Sequence, residues 1–341
     1  MRFFRRTQPE LLLVILFFCA VTLCFGSNTE PLSAHANFTA LRQGWEIQSA
    51  CKIQADGAQL SSPEYRPQGW IAATVPTTVL AAQVAAGIYP DPYFGMNLRK
   101  IPGTTYPIGT KFSILPMPKD SPYACGWWYR KQFAVPESYK GKTIWLKFNG
   151  INYRANIFLN GKQIAKSDDV AGAWRTYEFN ITDAAKPGAE NVLAVQAFAP
   201  TDHDLAITFV DWNPAPPDKN MGLWREVYLT TSGPVAMRYP TVVSKLDLPA
   251  TDSAQLTVTA QLKNGTNQPV KGELRGKIEN VTFEQDVELG PGEAKDVTFT
   301  PDKFTQLVFA NPRLWWPKKM GKPNLYPLSM EFEVGGVVSD H

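Results

Sequence analysis

The sequence predicts an all-β protein, in which a jelly-roll sandwich is followed by an immunoglobulin-like β-sandwich. After residue 40, almost the whole chain consists of short runs of β-branched and aromatic residues bounded by Gly, Pro, Asn or Asp. Beyond residue 253, apolar and polar residues alternate with period two in segments about ten residues apart, which is typical of an immunoglobulin-like sandwich. Strands and helices do not alternate along the sequence, so no (β/α)8 barrel is predicted.

Four runs are typical of the predicted strands, at residues 44–50, 127–135, 143–150 and 191–199. The clearest local signal is Asn160-Gly161, which lies between two apolar runs. Asn and Gly tolerate the positive φ angles of a type I′ turn, so the pair predicts a β-hairpin.

One helix is predicted, over residues 75–87, where Pro76 lies near the start and Gly87 occupies the position of a left-handed C-terminal cap. A break near residue 233 divides the chain into a first domain of residues 27–232 and a second of 233–341. A further turn is expected at Asn264-Gly265 in the second domain.

The first 26 residues are predicted to be a signal peptide. Three arginines precede an apolar run from Leu11 to Phe25, and the small residues Gly26 and Ser27 follow. The apolar run is short for a membrane span, so a secreted or periplasmic protein with no membrane attachment after cleavage is expected. An uncleaved membrane anchor is the alternative.

Composition excludes several classes of function. Removal of residues 1–26 lowers the formal charge from +3 to +1, which leaves no electrostatic basis for nucleic-acid binding. The three histidines are too few and too scattered for a metal site, and no cofactor is predicted. Export permits a disulfide between Cys51 and Cys125, although the sequence does not show whether their geometry allows one.

Four ordered motifs resemble the N-terminal region of family 2 glycoside hydrolases, in the exo-β-D-glucosaminidase and β-mannosidase branch. They are CGWWYRKQF, WLKFNGINYRANIFLNGKQIA, DWNPAPPDKNMGLWREVYL and NPRLWWPKKMGKPNLYPL. The resemblance covers about residues 40–335 and implies a galactose-binding-like jelly roll followed by an immunoglobulin-like domain. The stretch between Asp211 and Trp224 favours the glucosaminidase type over the mannosidase type.

The resemblance also implies where catalysis occurs. Such enzymes cleave terminal β-linked sugars with retention, using two glutamates of a (β/α)8 barrel. That barrel is absent from these 341 residues, so no catalytic residue is assigned. The glutamates of the two sandwiches are expected to be solvated charges, among them Glu46, Glu178, Glu226, Glu284 and Glu331.

A proline-broken loop carries the candidate substrate-binding residues. By the resemblance, Asp211 and Trp212 contact the terminal sugar, and Asn213 adds a polar contact. A carboxylate can accept hydrogen bonds from two vicinal hydroxyls, while an indole covers the apolar face of a pyranose. The alternative is structural, with Trp212 packed on the sandwich and Asp211 capping a turn. Asp218 lies farther along the same loop.

The other tryptophans receive structural interpretations. Core burial is expected for those in or beside strand runs, namely Trp127, Trp128, Trp145 and Trp174. Trp224 is expected to anchor the strand after the loop, with Arg225 turned the other way. Trp315 and Trp316 belong to a motif that, by the resemblance, packs on the barrel and is exposed without it.

Three hypotheses of function follow. The first is the non-catalytic N-terminal part of an exported retaining glycosidase of exo-β-D-glucosaminidase type, which contributes one wall of the sugar site; a β-mannosidase-type fragment is its variant. The second is a free-standing carbohydrate-binding module. The third is a truncated or split gene product, whose separately encoded catalytic barrel docks on the Trp315 face.

Overall fold

The structure is a computed structural model that describes residues 37–103, 116–207 and 214–341. In these ranges the chain is built mainly of strands, which confirms the predicted all-β class. The three α-helices described there are short: α1 (Gly57–Leu60), α2 (Val79–Ala85) and α3 (Asn97–Lys100). The strands are β1 (Phe38–Ala40), β2 (Trp45–Ser49), β3 (Ile71–Ala73), β4 (Thr77–Thr78), β5 (Trp127–Ala134), β6 (Thr143–Phe148), β7 (Arg154–Leu159), β8 (Lys162–Ala165), β9 (Tyr177–Asn180), β10 (Glu190–Phe198), β11 (Gly222–Leu223), β12 (Val227–Ser232), β13 (Val235–Leu246), β14 (Ser253–Asn264), β15 (Val270–Ile278), β16 (Val281–Leu289), β17 (Ala294–Phe299), β18 (Val308–Ala310), β19 (Leu328–Val334) and β20 (Val337–Asp340).

The first sandwich packs a four-stranded sheet, in the order β1-β12-β6-β9, with a six-stranded sheet, in the order β3-β2-β5-β10-β7-β8. Its core forms because alternate residues of each strand point inward. In β7, for example, Ala155, Ile157 and Leu159 are fully buried in one apolar cluster with residues of the other sheet. The short strands β4 and β11 form a separate pair at the edge of this core.

The second sandwich has its own core. One sheet has the order β13-β14-β17, with β18 also paired to β14, and the other has the order β16-β15-β19-β20. Phe283 meets Phe299 edge-on with ring centroids 4.7 Å apart, and both lie in the cluster that fills this sandwich. The boundary predicted near residue 233 lies between β12 and β13.

The four predicted strands and the first hairpin are confirmed. Strands β2, β5, β6 and β10 occupy the predicted runs, with ends that differ by at most a few residues. Asn160 and Gly161 have φ angles of 51° and 84° and join β7 to β8, as a type I′ turn requires.

The predicted helix is shorter than expected at its start. Pro76 is not its first residue, because Thr77 and Thr78 form β4 and pair with β11. Instead, the Thr78 hydroxyl accepts a hydrogen bond from the Ala81 N–H and caps α2. Gly87 ends the helix at φ 74°, as predicted, and Ile88 N–H donates to the Gln83 carbonyl in a Schellman arrangement.

Asn264-Gly265 is not a two-residue hairpin turn. Asn264 is the last residue of β14, and the chain crosses from there to β15 in the other sheet. Gly265 faces the first sandwich: a Cβ atom on it would lie 2.6 Å from the Thr143 side chain and 3.0 Å from Trp145. The absence of a side chain at Gly265 thus permits the two sandwiches to touch at this point.

The tryptophan predictions have mixed outcomes. Trp127, Trp128 and Trp145 are buried, as predicted. Trp174 contradicts its prediction, since 63% of it is exposed: it lies in the loop before β9, and its ring meets Trp224 rather than the core.

Trp224 lies between β11 and β12, with its indole N–H bonded to the Ala173 carbonyl over 2.9 Å, so it does anchor this segment. Arg225 was expected to turn away. Its guanidinium instead lies over the Trp224 ring, 5.0 Å from the centroid, and makes a cation–π contact with it.

Cys51 and Cys125 are joined in a disulfide, with their Cα atoms 6.0 Å apart. It ties the short 3-10 turn after β2 to the segment that enters β5. The predicted signal peptide lies outside the described residues. Among the helices that are described, none has the length and apolar character needed to cross a membrane.

Candidate functional site

The predicted sugar-contact residues Asp211, Trp212 and Asn213 lie outside the described residues, which stop at Ile207 and resume at Pro214. The structure does describe both flanks of this segment. Each flank is held by a carboxylate, and these two carboxylates define the candidate site.

Asp204 holds the flank that precedes the segment. Both of its carboxylate oxygens accept hydrogen bonds from the Arg154 guanidinium, over 2.8 and 2.9 Å, and Thr201 donates through its N–H and its hydroxyl. Arg154 and Thr201 together lower the pKa of Asp204 to about 2, although partial burial opposes them. A bidentate pair of this kind fixes orientation as well as charge.

Asp218 holds the flank that follows the segment. It is fully buried, and its oxygens accept hydrogen bonds from the N–H groups of Leu80, over 2.8 Å, and Asn220, over 2.9 Å. Burial raises the pKa of Asp218 to about 6, against the effect of these hydrogen bonds. Asp218 was noted in this loop from the sequence but was assigned no role. The neighbouring prolines were the only sequence signal that a turn here needs a capping side chain.

Asn152 also holds this turn, through its side chain and its backbone. It was not identified from the sequence. Its side-chain amide donates to the carbonyls of Lys219 and Asn220, over 2.9 and 2.8 Å, while its backbone exchanges two hydrogen bonds with Gly222. Gly222, at φ 143°, lies against the Tyr129 hydroxyl. Burial, and then the charge of Asp218, raise the pKa of Tyr129, so this hydroxyl stays protonated.

Two cavities border the flanks. A cavity of about 740 Å³ is lined by the apolar face of α2 and by the loop, including Leu80, Val84, Pro214 and Pro216. A smaller one of about 350 Å³ is lined by Thr77, Thr78, Ile207, Asn220 and Trp224. Ile207 and Pro214, the described residues on either side of 208–213 in the sequence, each line one of these cavities.

Exposed apolar side chains lie at the larger cavity, which is lined by Tyr93 and Met96. Tyr93 is 95% exposed and Phe94 is 76% exposed, and both precede α3 with Met96, which is 61% exposed. Large apolar side chains left in water beside a cavity are typical of a surface that meets a ligand or a partner.

Three of the glutamates named in the sequence analysis lie beside cations. Glu46 lies 3.7 Å from Arg130, and Glu284 lies 3.6 Å from Arg275. Glu178 is not the solvated charge that was expected: its side chain is only 16% exposed and pairs with Lys147 and Arg238. In the described ranges, no group of three or more His, Cys, Asp or Glu is placed to hold a metal ion.

The arrangement is suited to ligand binding. The flanks present hydroxyl, amide and indole groups beside apolar walls, a combination suited to a polar ligand with apolar faces. Both carboxylates of the flanks are occupied by backbone or guanidinium donors, so they position the loop.

Two family models match the chain. One, described as the glycosyl hydrolase 2 galactose-binding domain-like model, matches residues 123–208 in the first sandwich. The other, described as glycosyl hydrolases family 2, matches residues 237–341 in the second sandwich.

Similar proteins are longer than this chain. An exo-β-D-glucosaminidase from Streptomyces avermitilis is 36% identical over 310 residues, which are 91% of this chain and 32% of that protein. A mannosylglycoprotein endo-β-mannosidase from Lilium longiflorum is 30% identical over 328 residues, 87% of this chain and 32% of that protein. The crystal structure of an exo-chitosanase from Amycolatopsis orientalis gives a TM-score of 0.73 at 30% identity, covering 89% of this chain and 33% of that one. The chain thus spans about a third of the length of the curated relatives it matches.

Proposed function

The chain belongs to family 2 of the glycosyl hydrolases, in its glucosaminidase and mannosidase branch, and we propose that it is the N-terminal, non-catalytic part of an exo-β-D-glucosaminidase. The observation that carries the proposal is the 36% identity to such an enzyme, sustained over both sandwiches. The whole protein would release terminal glucosamine from β-linked oligosaccharides with retention of configuration.

In this proposal Asp211, Trp212 and Asn213 form one wall of the sugar site. The carboxylate accepts hydrogen bonds from sugar hydroxyls, the indole covers the apolar face of the ring, and Asn213 adds a polar contact. Two observations support this role: Asp204 and Asp218 hold the described flanks, and the flanking residues Ile207 and Pro214 each line a cavity. An anchored loop loses less conformational entropy when it binds a ligand.

The catalytic glutamates would belong to a (β/α)8 barrel outside the 341 residues, in the same polypeptide or in a separate chain. The exposed apolar face made by Trp315, Trp316 and Met320 would pack against that barrel, since their exposed fractions are 57%, 40% and 67%. The exposed Tyr93 and Phe94 would face the barrel from the first sandwich.

An activity assay of the 341-residue chain tests whether catalysis requires the barrel. The chain should not hydrolyse an aryl β-glucosaminide, because the two carboxylates that a retaining glycosidase needs about 5 Å apart would belong to the barrel. Measurable turnover that survives repurification would contradict the proposal.

The sugar wall is tested by binding. Glucosamine should bind weakly, as expected of one wall of a pocket, and Asp211→Ala and Trp212→Ala should each reduce the affinity about tenfold in an NMR titration. Tyr239→Ala serves as the control, because Tyr239 is an exposed aromatic residue of the second sandwich. Unchanged affinity in both loop variants would remove the assigned wall.

Export is the remaining part of the proposal. Residues 1–26 would direct the protein out of the cytoplasm and be cleaved near Gly26, which is compatible with the Cys51–Cys125 disulfide. N-terminal sequencing of the protein recovered outside the cytoplasm should start near Ser27, whereas a start at Met1 in a membrane fraction would indicate an anchor.

A further inference from the structure

Trp174 occupies an unusual position for a large aromatic side chain. It lies in the loop before β9 with 63% of its surface exposed, and the next two residues, Arg175 and Thr176, are exposed and polar. Its surroundings differ from those of Trp315, which has an exposed tryptophan next to it and an exposed methionine five residues on. A single exposed indole among polar residues is a poor surface for packing a protein partner, but it suits a ligand with one apolar face.

The exposed indole of Trp174 is held in place. Its ring meets Trp224 edge-on, with centroids 4.8 Å apart and an interplanar angle of 85°. Trp224 in turn donates its indole N–H to the carbonyl of Ala173, the residue next to Trp174. The ring and its backbone are therefore braced by the same partner, so a ligand that stacks on Trp174 has little side-chain motion to arrest.

Trp224 also connects Trp174 to the candidate site. The cavity of about 350 Å³ is lined by Trp224 together with Thr77, Thr78 and Asn220. Hydroxyl and amide groups at such a position can exchange hydrogen bonds with sugar hydroxyls. Ile207, the last described residue before the proposed sugar wall, lines the same cavity.

Neither neighbouring arginine covers the Trp174 face. The Arg225 guanidinium lies over the Trp224 ring, 5.0 Å from its centroid, and the Arg175 guanidinium lies 5.7 Å from the centroid of Tyr177. Among the described residues no cation lies over the Trp174 ring, and 63% of the residue is exposed.

We propose that Trp174 is the stacking platform of a second sugar subsite, which binds a further pyranose of a β-linked oligosaccharide. This inference rests on the proposed function, and it adds that the protein contacts more than the terminal sugar. The apolar C–H face of the pyranose stacks on the indole, while hydroxyls of the same chain reach Thr77, Thr78 and Asn220. The platform would therefore favour longer oligosaccharides over single sugars.

The test compares two probes, glucosamine and its β-1,4-linked tetramer, by NMR titration of the 341-residue chain. Trp174→Ala should weaken tetramer binding about five- to tenfold, as loss of one aromatic stack implies, and leave glucosamine binding unchanged. Trp174→Phe should retain most of the tetramer affinity, because it keeps a flat ring. Tyr239→Ala removes an exposed aromatic residue elsewhere and should change neither affinity.

Each outcome decides between the two proposals. Equal tetramer affinity in wild type and Trp174→Ala would overturn the platform, and the sugar wall would stand if Trp212→Ala weakened both probes. A loss in Trp174→Ala with no effect of Trp212→Ala or Asp211→Ala would keep the platform and remove the wall. A wild-type chain that binds no tetramer at all would overturn both proposals.

Discussion

At the scale of single residues, the carboxyl group of Asp218 determines how the loop meets α2. It accepts hydrogen bonds from two backbone N–H groups at a fully buried position. An amide at this position can accept only one of them and would direct its own NH2 group at the other donor.

Asp218→Asn should therefore lower the free energy of unfolding by about 1–3 kcal/mol at neutral pH. The effect depends on pH in a defined direction. The folded-state pKa of Asp218, about 6, lies above the ordinary value of 3.8, so the folded chain keeps this proton to a higher pH than the unfolded chain does. The corresponding stabilisation is fully present below pH 3.8 and is lost as the pH rises through about 6.

Denaturant unfolding of wild type and Asp218→Asn between about pH 4 and pH 7 measures this effect. The stability advantage of the wild type should shrink as the pH rises and become constant above about pH 6. An advantage that grows with pH over this window would contradict the assigned pKa direction.

Gly222 gives a second prediction at this scale. A Cβ atom at this residue would lie 2.2 Å from the Tyr129 hydroxyl oxygen and 2.9 Å from the Thr77 carbonyl oxygen, at a φ of 143°. Gly222→Ala should destabilise the chain by about 3 kcal/mol or more, since both the backbone and a buried tyrosine must shift.

Gly87→Ala is the matched control, because Gly87 also has a positive φ, of 74°, but a Cβ there would meet nothing within 4 Å. It should cost only about 1 kcal/mol, from backbone strain alone. Thermal unfolding of both variants measures the difference in stability. Equal destabilisation by the two substitutions would show that the close approach of Gly222 to Tyr129 does not affect stability.

At the scale of elements, the segment of residues 201–207 depends on its bidentate pair with Arg154. Asp204→Asn keeps the shape of the side chain but removes its charge. It should lower the free energy of local opening by about 1 kcal/mol. The effect is modest because Arg154 is partly exposed. Amide hydrogen exchange in residues 201–207 should then be roughly fivefold faster.

Asp202→Asn is the control in the same segment, since Asp202 is mostly exposed and its ion-pair contact is His203 at 3.9 Å. Its exchange rates should match the wild type. Equal protection in wild type and Asp204→Asn would mean that backbone contacts alone hold this flank.

At the scale of the whole molecule, a partly buried charge cluster joins the two sandwiches. Glu178 of β9 pairs with Lys147 of β6 over 2.7 Å and with Arg238 of β13 over 2.6 Å, and it lies 3.9 Å from Lys263 of β14. Arg238 also pairs with Asp340 over 2.9 Å. Burial alone would raise the pKa of Glu178, but Arg238 and Lys147 outweigh it and lower that pKa.

The Trp145 ring lies beside the same cluster, with the Arg238 guanidinium 5.3 Å and the Lys263 ammonium 4.9 Å from its centroid. Asn180 of β9 donates to the Gly265 carbonyl over 2.7 Å. Because polar, charged and aromatic contacts coincide here, we expect the two sandwiches to unfold together.

Glu178→Gln would leave three cations around an uncharged amide. It should lower the free energy of unfolding by about 2–3 kcal/mol and separate the unfolding of the two sandwiches in calorimetry. Glu288→Gln is the matched control, because its pair with Lys271 is exposed and should contribute less than about 0.5 kcal/mol. A single unshifted transition in Glu178→Gln would show that the sandwiches are coupled by other contacts.

The sequence by itself determined the strand runs, the Asn160-Gly161 hairpin and the two-sandwich class. These follow from residue spacing and turn chemistry, which act over a few neighbouring residues, and the four ordered motifs were enough to indicate the family. Only the tertiary structure decided that Trp174 is exposed, that Glu178 joins two domains and that Asp218 caps a helix far away in the sequence. Burial and pairing of this kind depend on which distant segments meet, and no local pattern around a single glutamate or tryptophan carries that information.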